Sequence, residues 1–311
     1  MKIVIYSEKY KIQWDDFIKT AKNSHFFFQR DYMEYHSDRF NDYSLLIFKD
    51  DILIALLPAN IKNDTLYSHQ GLTFGGFIVN ARMTTQIMLE VFEYLLLFLK
   101  DKNISRVIYK CIPYIYHAYP SEEDRYALFI YKANLIRRDV TSTIYLNESI
   151  KYSKGRKWTI NKAKKHNLQI VQSNDYTSFW KKLTDVLEKK HDASPVHSLN
   201  EIEYLAKLFP NHIKLFLVKD NTEILSGALL YENNKVVHTQ YLANTELGRQ
   251  IGALDLLLDY LIKEVYPKKM FFDFGISNEN EGKLLNTGLI SQKEGFGAKA
   301  IVHDFYELEI K

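Results

Sequence analysis

The strongest constraint on what this chain can fold into is that it repeats itself. Residues 45–72 read LLIFKDDILIALLPANIKNDTLYSHQGL, and residues 215–242 read LFLVKDNTEILSGALLYENNKVVHTQYL. At a constant offset of 170 residues, Leu45, Lys49, Asp50, Ile54, Gln70 and Leu72 fall on Leu215, Lys219, Asp220, Ile224, Gln240 and Leu242. Internal self-similarity of this kind points to a duplicated architecture. Each copy reads strand, Lys-Asp turn, strand, a second polar turn and strand, which predicts an antiparallel meander.

An amphipathic helix follows each meander. TTQIMLEVFEYLLLFLK places Ile87, Met88, Val91, Phe92, Leu95, Leu96 and Leu99 on one face. IGALDLLLDYLIKEV does the same with Leu254, Leu257, Leu258, Leu261, Ile262 and Val265. Both match the i, i+3, i+4, i+7 spacing of a helix with one buried side. An apolar strand comes next in each half, RVIYKCIP or KMFFDFGIS, then an acidic helix start (SEEDRYALF or NENEGKLL) and a closing strand. The order β-β-β-α-β-α-β thus occurs twice. It predicts an α/β (α+β) protein of two similar domains, 1–147 and 148–311, each a mixed, mostly antiparallel sheet flanked by helices. The division falls at the polar stretch NESIKYSKG.

Composition narrows the chemistry. The one cysteine, Cys111, allows no internal disulfide and no zinc cluster of the Cys/His type, and it reads as a small apolar residue at a strand end. A net charge of +3 is too mild to indicate nucleic acid by itself. The opening MKIVIYSEKYKIQWDDF lacks the pattern of a signal peptide, and LEVFEYLLLFLKDK is interrupted by charge well short of a membrane span. A soluble, cytoplasmic protein without a metal is the expectation.

Three further segments carry a resemblance: SKGRKWTINKAKK at 153–165, FFDFGIS at 271–277 and QKEGFG at 292–297. In this order, with the two meander-helix-strand units, they resemble the FemABX-like (Fem-type) branch of the GNAT acyltransferase superfamily. The resemblance implies two tandem GNAT-like domains, the second carrying donor binding and catalysis and the first serving the acceptor side. It implies an N-acyltransferase moving an acyl group from acyl-CoA, such as acetyl-CoA, to a small-molecule amine. An amino sugar or a cell-envelope precursor, nucleotide-linked or not, would serve as that acceptor. An aminoacyl-tRNA as donor, and a non-catalytic module binding a nucleotide or RNA, are the alternatives. Two departures bear on the donor. The helical arm with which some members grip tRNA has no counterpart, and in the pyrophosphate signature Arg249 and Gly252 fit while Leu254 takes the place of a small residue.

Residue by residue, the resemblance and the chemistry mark the following positions. For the donor they are Asn244, Gly248, Arg249 and Gly252, where a strand turns into a helix whose free N–H groups suit a phosphate. For catalysis they are Lys293, Asp273 and Tyr241. Lys293 either polarises the donor carbonyl from a close-fitting glycine loop or belongs to a surface Lys–Glu turn. Asp273 is either a base with a raised pKa or a structural acceptor. Tyr241, on the strand with His238, either protonates a leaving thiolate or packs across strands. On the acceptor side, Arg156 offers a planar fork for phosphate within a basic helix. His191 and His197 flank a loop, while His69 and Gln70 sit in the glycine-rich loop SHQGLTFGG, which lines a cleft or only turns tightly. Ser198 and Glu201 have the spacing of a capping box.

Overall fold

The structure, a computed structural model, describes all residues except Asp192 and Thr222, and leaves the side chains of Lys190 and His191 undescribed. It resolves into two compact units. The first holds Met1–Asp139, Asn278–Leu284 and Val302–Lys311; the second holds Val140–Ser277 and Leu285–Ile301. The sequence places the division between residues 147 and 148. In the structure the chain changes unit inside a strand, and the last residues return to the first unit.

The chain begins with β1 (Lys2–Ile5), α1 (Lys11–Thr20), α2 (Arg30–Met33) and β2 (Asn41–Asp42). Five further strands follow: β3 (Leu45–Lys49), β4 (Ile52–Leu57), β5 (Asn60–Lys62), β6 (Thr65–Tyr67) and β7 (Ile78–Val79). Then come α3 (Thr85–Asp101), β8 (Arg106–Lys110), α4 (Glu123–Ile130) and β9 (Asn134–Tyr145). After β9 run α5 (Lys154–Ala163), β10 (Gln169–Ser173), α6 (Tyr176–His191) and α7 (Leu199–Leu208). The second meander is β11 (Ile213–Asp220), β12 (Glu223–Glu232) and β13 (Val236–Asn244), followed by α8 (Glu246–Ile251) and α9 (Ala253–Tyr260). The chain ends with β14 (Phe271–Ile276), β15 (Asn278–Glu279), β16 (Leu284–Leu285), α10 (Thr287–Glu294) and β17 (Lys299–Glu309).

In the first unit the expected meander is divided. β3 and β4 pair with each other between β1 and β7, while β6 lies beside β5 and runs parallel to β8. Pro58 follows the last residue of β4 and cannot donate to a ladder, so the chain turns out of the sheet there and β5 starts a new one. β8 then pairs antiparallel with the end of β17, Lys110 opposite Phe305. Met88, Val91, Phe92, Leu95 and Leu99 of α3 are buried in the core against Leu45, Ile47 and Val107, as the helical spacing predicts. Thr84 caps the helix through its hydroxyl.

The second unit keeps its meander, β11, β12 and β13 all antiparallel, with β10 added outside β11. β13 runs parallel to β14, which pairs antiparallel with Thr141–Tyr145 of β9. Leu254, Leu257, Leu258 and Leu261 pack with Phe216, Leu230, Phe272 and Phe296. Where the sequence reads a plain strand-to-helix turn, the chain forms the short helix α8, and Gly252, with φ +90, separates it from α9, a conformation glycine adopts at little cost. The capping box at Ser198 and Glu201 is formed. Among the described residues, no helix is long and apolar enough to cross a membrane.

Candidate functional site

The second unit places most of the marked residues around the upper parts of β13 and β14. The two strands pair over only three residues each, Val236 with Phe271, Val237 with Phe272 and His238 with Asp273. β13 then continues to Asn244 against β12, and β14 to Ile276 against β9, so the parallel pair opens beyond His238. Within the opening β13 carries a bulge. Leu229 faces Tyr241 and Leu230 faces Thr239, which leaves Gln240 with no residue opposite. A bulge withdraws backbone groups from the ladder and bends the strand, which is why bulges gather at the edges of sites.

Asp273 lies at the base of the opening and is fully buried. Its Oδ1 accepts from the hydroxyls of Thr141 and Thr143, each at 2.6 Å, and its Oδ2 lies 2.7 Å from His238 Nδ1. Burial alone would raise its pKa. The bonds from His238, Thr141 and Thr143 outweigh that and hold the carboxyl at about 2. This corrects the expectation of a raised pKa: a carboxylate this acidic is too weak a base to take a proton from an amine. Because an ionised carboxylate only accepts, the proton in the His238 contact sits on Nδ1, which places the lone pair of the uncharged form of the ring on Nε2.

Lys293 is likewise not on a loop. It is the seventh residue of α10 and is buried. Its ammonium donates to Gly275 O and Ile276 O at 2.8 Å and to Ser277 Oγ at 2.9 Å, which uses all three of its protons. Burial pulls its pKa down to about 8, against the attraction of Asp273. Lys293 therefore ties α10 to the end of β14. The two glycines after it have separate uses. Gly295 keeps helical backbone angles at the end of α10, and Gly297, at φ +89, turns the chain out of the helix. Between them Phe296 is fully buried.

Arg156, the third residue of α5 after the Ser153 cap, sends Nη1 to both oxygens of Asp255 at 2.8 and 2.6 Å. It lines a cavity of about 350 Å³ with Thr159, Asn244, Arg249, Gly252 and Gln292. A residue expected on the acceptor and three expected on the donor thus meet at one polar recess, with the Arg156 charge already answered by Asp255. Arg249 donates to Asn244 O at 3.1 Å. Gly248 is buried, and a Cβ there would come within 2.4 Å of Leu225 O and 2.5 Å of Asn244 Oδ1, so close packing explains that glycine. Its N–H is already bonded to Thr245 Oγ1, the cap of α8. A second recess of about 290 Å³ at the start of α8 sets Lys182, Lys189 and Arg249 against Asp185, Glu223 and Glu246.

Tyr241 and His197 are brought together. The phenol oxygen accepts from the His197 backbone N–H at 3.3 Å and lies 2.7 Å from its Nδ1, and burial raises the Tyr241 pKa. Trp180 stands edge-on to the same ring. His191 ends α6, and its side chain lies outside the described residues. His69 and Gln70 belong to the first unit. His69 is buried, at φ +62, with its pKa pushed well down by burial; the Gln70 side chain and backbone both bond Asn60. Among the described residues, no group of three or more His, Cys, Asp or Glu side chains is arranged to hold a metal ion.

The features that sequence reasoning missed are the bulge at Gln240 and the pairing of His238 with Asp273. The one signal for the latter was that both residues interrupt apolar strands.

No family model matches the sequence, and no curated protein matches it. Solved structures do. FemX superposes with a TM-score of 0.68 over 98% of this chain and 97% of its own, at 11% identity. L-PGS from Bacillus licheniformis gives 0.59 over 85% and 83% at 12% identity. A tandem GNAT protein from the clavulanic acid biosynthesis pathway gives 0.52 over 100% and 98% at 9% identity. At these identities the likeness is one of fold.

Proposed function

We propose that this chain, which has the tandem GNAT fold in its FemX-like form, transfers an acyl group from an activated donor to an amine in its second unit. The observation that carries the reading is the opening of β13 from β14 beyond His238, with the unpaired bulge at Gln240 inside it. A donor carbonyl laid along β13 at that point would meet backbone N–H groups released from the ladder. Such groups can bind the negative charge that develops on the carbonyl oxygen, an interaction that typically accounts for ~10²–10³ in rate. Free amines need no covalent enzyme intermediate, so direct transfer suffices.

The donor we favour is an acyl thioester of coenzyme A, with the recess of Asn244, Arg249 and Gly252 taking its polar part. Thermal denaturation with and without acetyl-CoA tests this, since a ligand at 100 times its Kd adds ~2.7 kcal/mol. Mass spectrometry of acetyl-CoA mixed with a set of amino sugars and peptide amines then identifies acetylated product. No stabilisation and no product would sink the thioester reading.

One observation favours an aminoacyl-tRNA instead. The start of α8 matches its three cations with three acids, and Gly248 has spent its N–H on Thr245, which makes a poor diphosphate cradle. Under this reading acetyl-CoA gives no shift, while aminoacyl-tRNA loses its amino acid to an added amine.

A further inference from the structure

We infer that His238 is the base that takes the proton from the incoming amine, and that Asp273, Thr141 and Thr143 are positioning residues that fix its ring. The inference rests on the acyl-transfer reading above and adds the group that removes the proton.

The need for such a group is chemical. A primary amine of the lysine type, with a pKa of about 10.4, attacks only as its free base, and attack leaves its nitrogen positively charged until a further proton is removed. An amine that has shed one proton to water attacks the donor carbonyl. As the C–N bond forms, its second proton passes to His238 Nε2. The bond from the carbonyl carbon to the leaving sulfur or oxygen breaks, and the imidazolium returns that proton to the leaving atom. The amide and the protonated leaving group are the products, and the ring ends neutral.

Geometry selects His238 among the polar groups nearby. All three protons of Lys293 are committed to Gly275, Ile276 and Ser277. Both Asp273 oxygens accept hydrogen bonds in a fully buried position. The Tyr241 hydroxyl is engaged with His197. His238 alone pairs a fixed orientation with access: Nδ1 is held by Asp273, and its side chain is 15% exposed. It is also the last residue of β13 paired with β14, two positions before the bulge at Gln240. Gly275, at φ +75, stands beside the open edge of the ring. A Cβ there would lie 3.2 Å from His238 Cε1 and 3.8 Å from Nε2. Glycine leaves that edge uncovered.

The support is layered across the sheet. Asp273 sits between its neighbours on both sides, opposite His238 on β13 and Thr143 on β9. A carboxylate that holds an imidazole Nδ1–H fixes the tautomer and stabilises the imidazolium when it forms, the same logic by which a buried acid serves a catalytic histidine elsewhere. The groups that bear on the ring are Asp273 from β14, Lys293 from α10 through its attraction to Asp273, and Tyr231 opposite on β12.

The test compares the parent protein with His238→Gln, His238→Ala and Asp273→Asn in acyl transfer from acetyl-CoA to the amine identified by mass spectrometry. Loss of a general base should lower kcat by roughly 10²–10⁴ with little change in KM for the donor. His238→Gln should also erase the acidic limb of the kcat–pH profile, and added imidazole should restore part of the rate to His238→Ala. Parental kcat and an intact acidic limb in His238→Gln, alongside an active parent, overturn the base assignment and leave acyl transfer standing. A parent that transfers nothing from acetyl-CoA or from aminoacyl-tRNA overturns acyl transfer itself and the base with it. Long-range ¹H–¹⁵N spectra give an independent reading. The His238 ring should appear as the Nδ1–H form and lose that preference in Asp273→Asn; an Nε2–H ring in the parent overturns the proposal.

Discussion

Replacing Lys293 with methionine keeps the stem and removes the ammonium, and the structure sets the size of the effect. Gly275 O, Ile276 O and Ser277 Oγ, at 2.8, 2.8 and 2.9 Å, lose their donor. Hydrogen bonds to a charged group contribute about 1.5–3 kcal/mol each, so the three come to roughly 4–9 kcal/mol. Opposing this is the cost of holding the charge away from water. That cost lowers Lys293 from 10.5 to about 8, and at ~1.36 kcal/mol per unit it amounts to about 3 kcal/mol. The variant should therefore lose a few kcal/mol at pH 7, read as a lower midpoint in urea.

The pH dependence carries a sharper signature. Because the folded pKa lies below the unfolded one, the unfolded chain binds the extra proton between pH 8 and 10.5, and the parent gains stability as pH rises through that window. Methionine binds no proton, so the gap between parent and variant should widen from pH 8 to pH 10, by up to about 3 kcal/mol. A variant as stable as the parent at pH 7, or a gap that stays constant with pH, refutes the clamp. If transfer also fell by ~10²-fold at unchanged stability, the lysine would be acting on substrate instead.

Other perturbations follow from the same contacts. Thr143→Val removes a donor from Asp273 and should lower stability at pH 7 by about 1–2 kcal/mol. Since Asp273 is held at about 2, below the ordinary 3.8, its contribution is full above pH 4 and is lost as pH falls through 2; the variant should acid-unfold at higher pH. Arg156→Ala strands Asp255 in a buried position and should cost roughly 2–3 kcal/mol in thermal denaturation. The double variant Arg156→Ala/Asp255→Leu should recover most of it; no recovery would mean Arg156 works otherwise than by pairing Asp255. Gly297→Ala, forced to φ +89 with Ile150 Cγ2 at 3.2 Å, should lower the melting temperature by an amount matching about 1–2 kcal/mol; an unchanged melting temperature would show that the turn relaxes.

Periodicity made the second half of the chain readable. The polar turns that separate the apolar runs of β11, β12 and β13, and the 3.6-residue spacing of Leu254, Leu257, Leu258 and Leu261, each specify a local shape that tertiary packing only has to accept. The first half was less legible because one residue, Pro58, ends β4 and sends the next strands to another sheet, while the similarity at offset 170 runs straight through it. QKEGFG misled for a related reason. A glycine pair announces a turn, yet Gly295 keeps helical angles and only Gly297 leaves them, so Lys293 lies in a helix. For Asp273 the sequence offered burial, which argues for a raised pKa. The donors that reverse the sign, His238 first and then Thr141 and Thr143, stand 35, 132 and 130 residues away in sequence. Site chemistry assembled from such distant strands has no local pattern to betray it.

The closing strands have a consequence for how this protein can be made. β8 finds its antiparallel partner in Phe305–Glu309, at the far end of the sequence, and β14 finds its own in Thr141–Tyr145. As the nascent chain leaves the ribosome, the first unit must wait, with one edge of β8 unpaired, until Phe305–Glu309 are synthesised. A gene cut after codon 147 would yield one fragment with that edge exposed and another in which β14 keeps β13 but loses β9 on its other side. Neither product should fold independently, and fusion boundaries or split reporters placed there should give insoluble halves. The duplication legible in the amino-acid letters is thus not a pair of separable modules to the translation machinery, which has to finish both together.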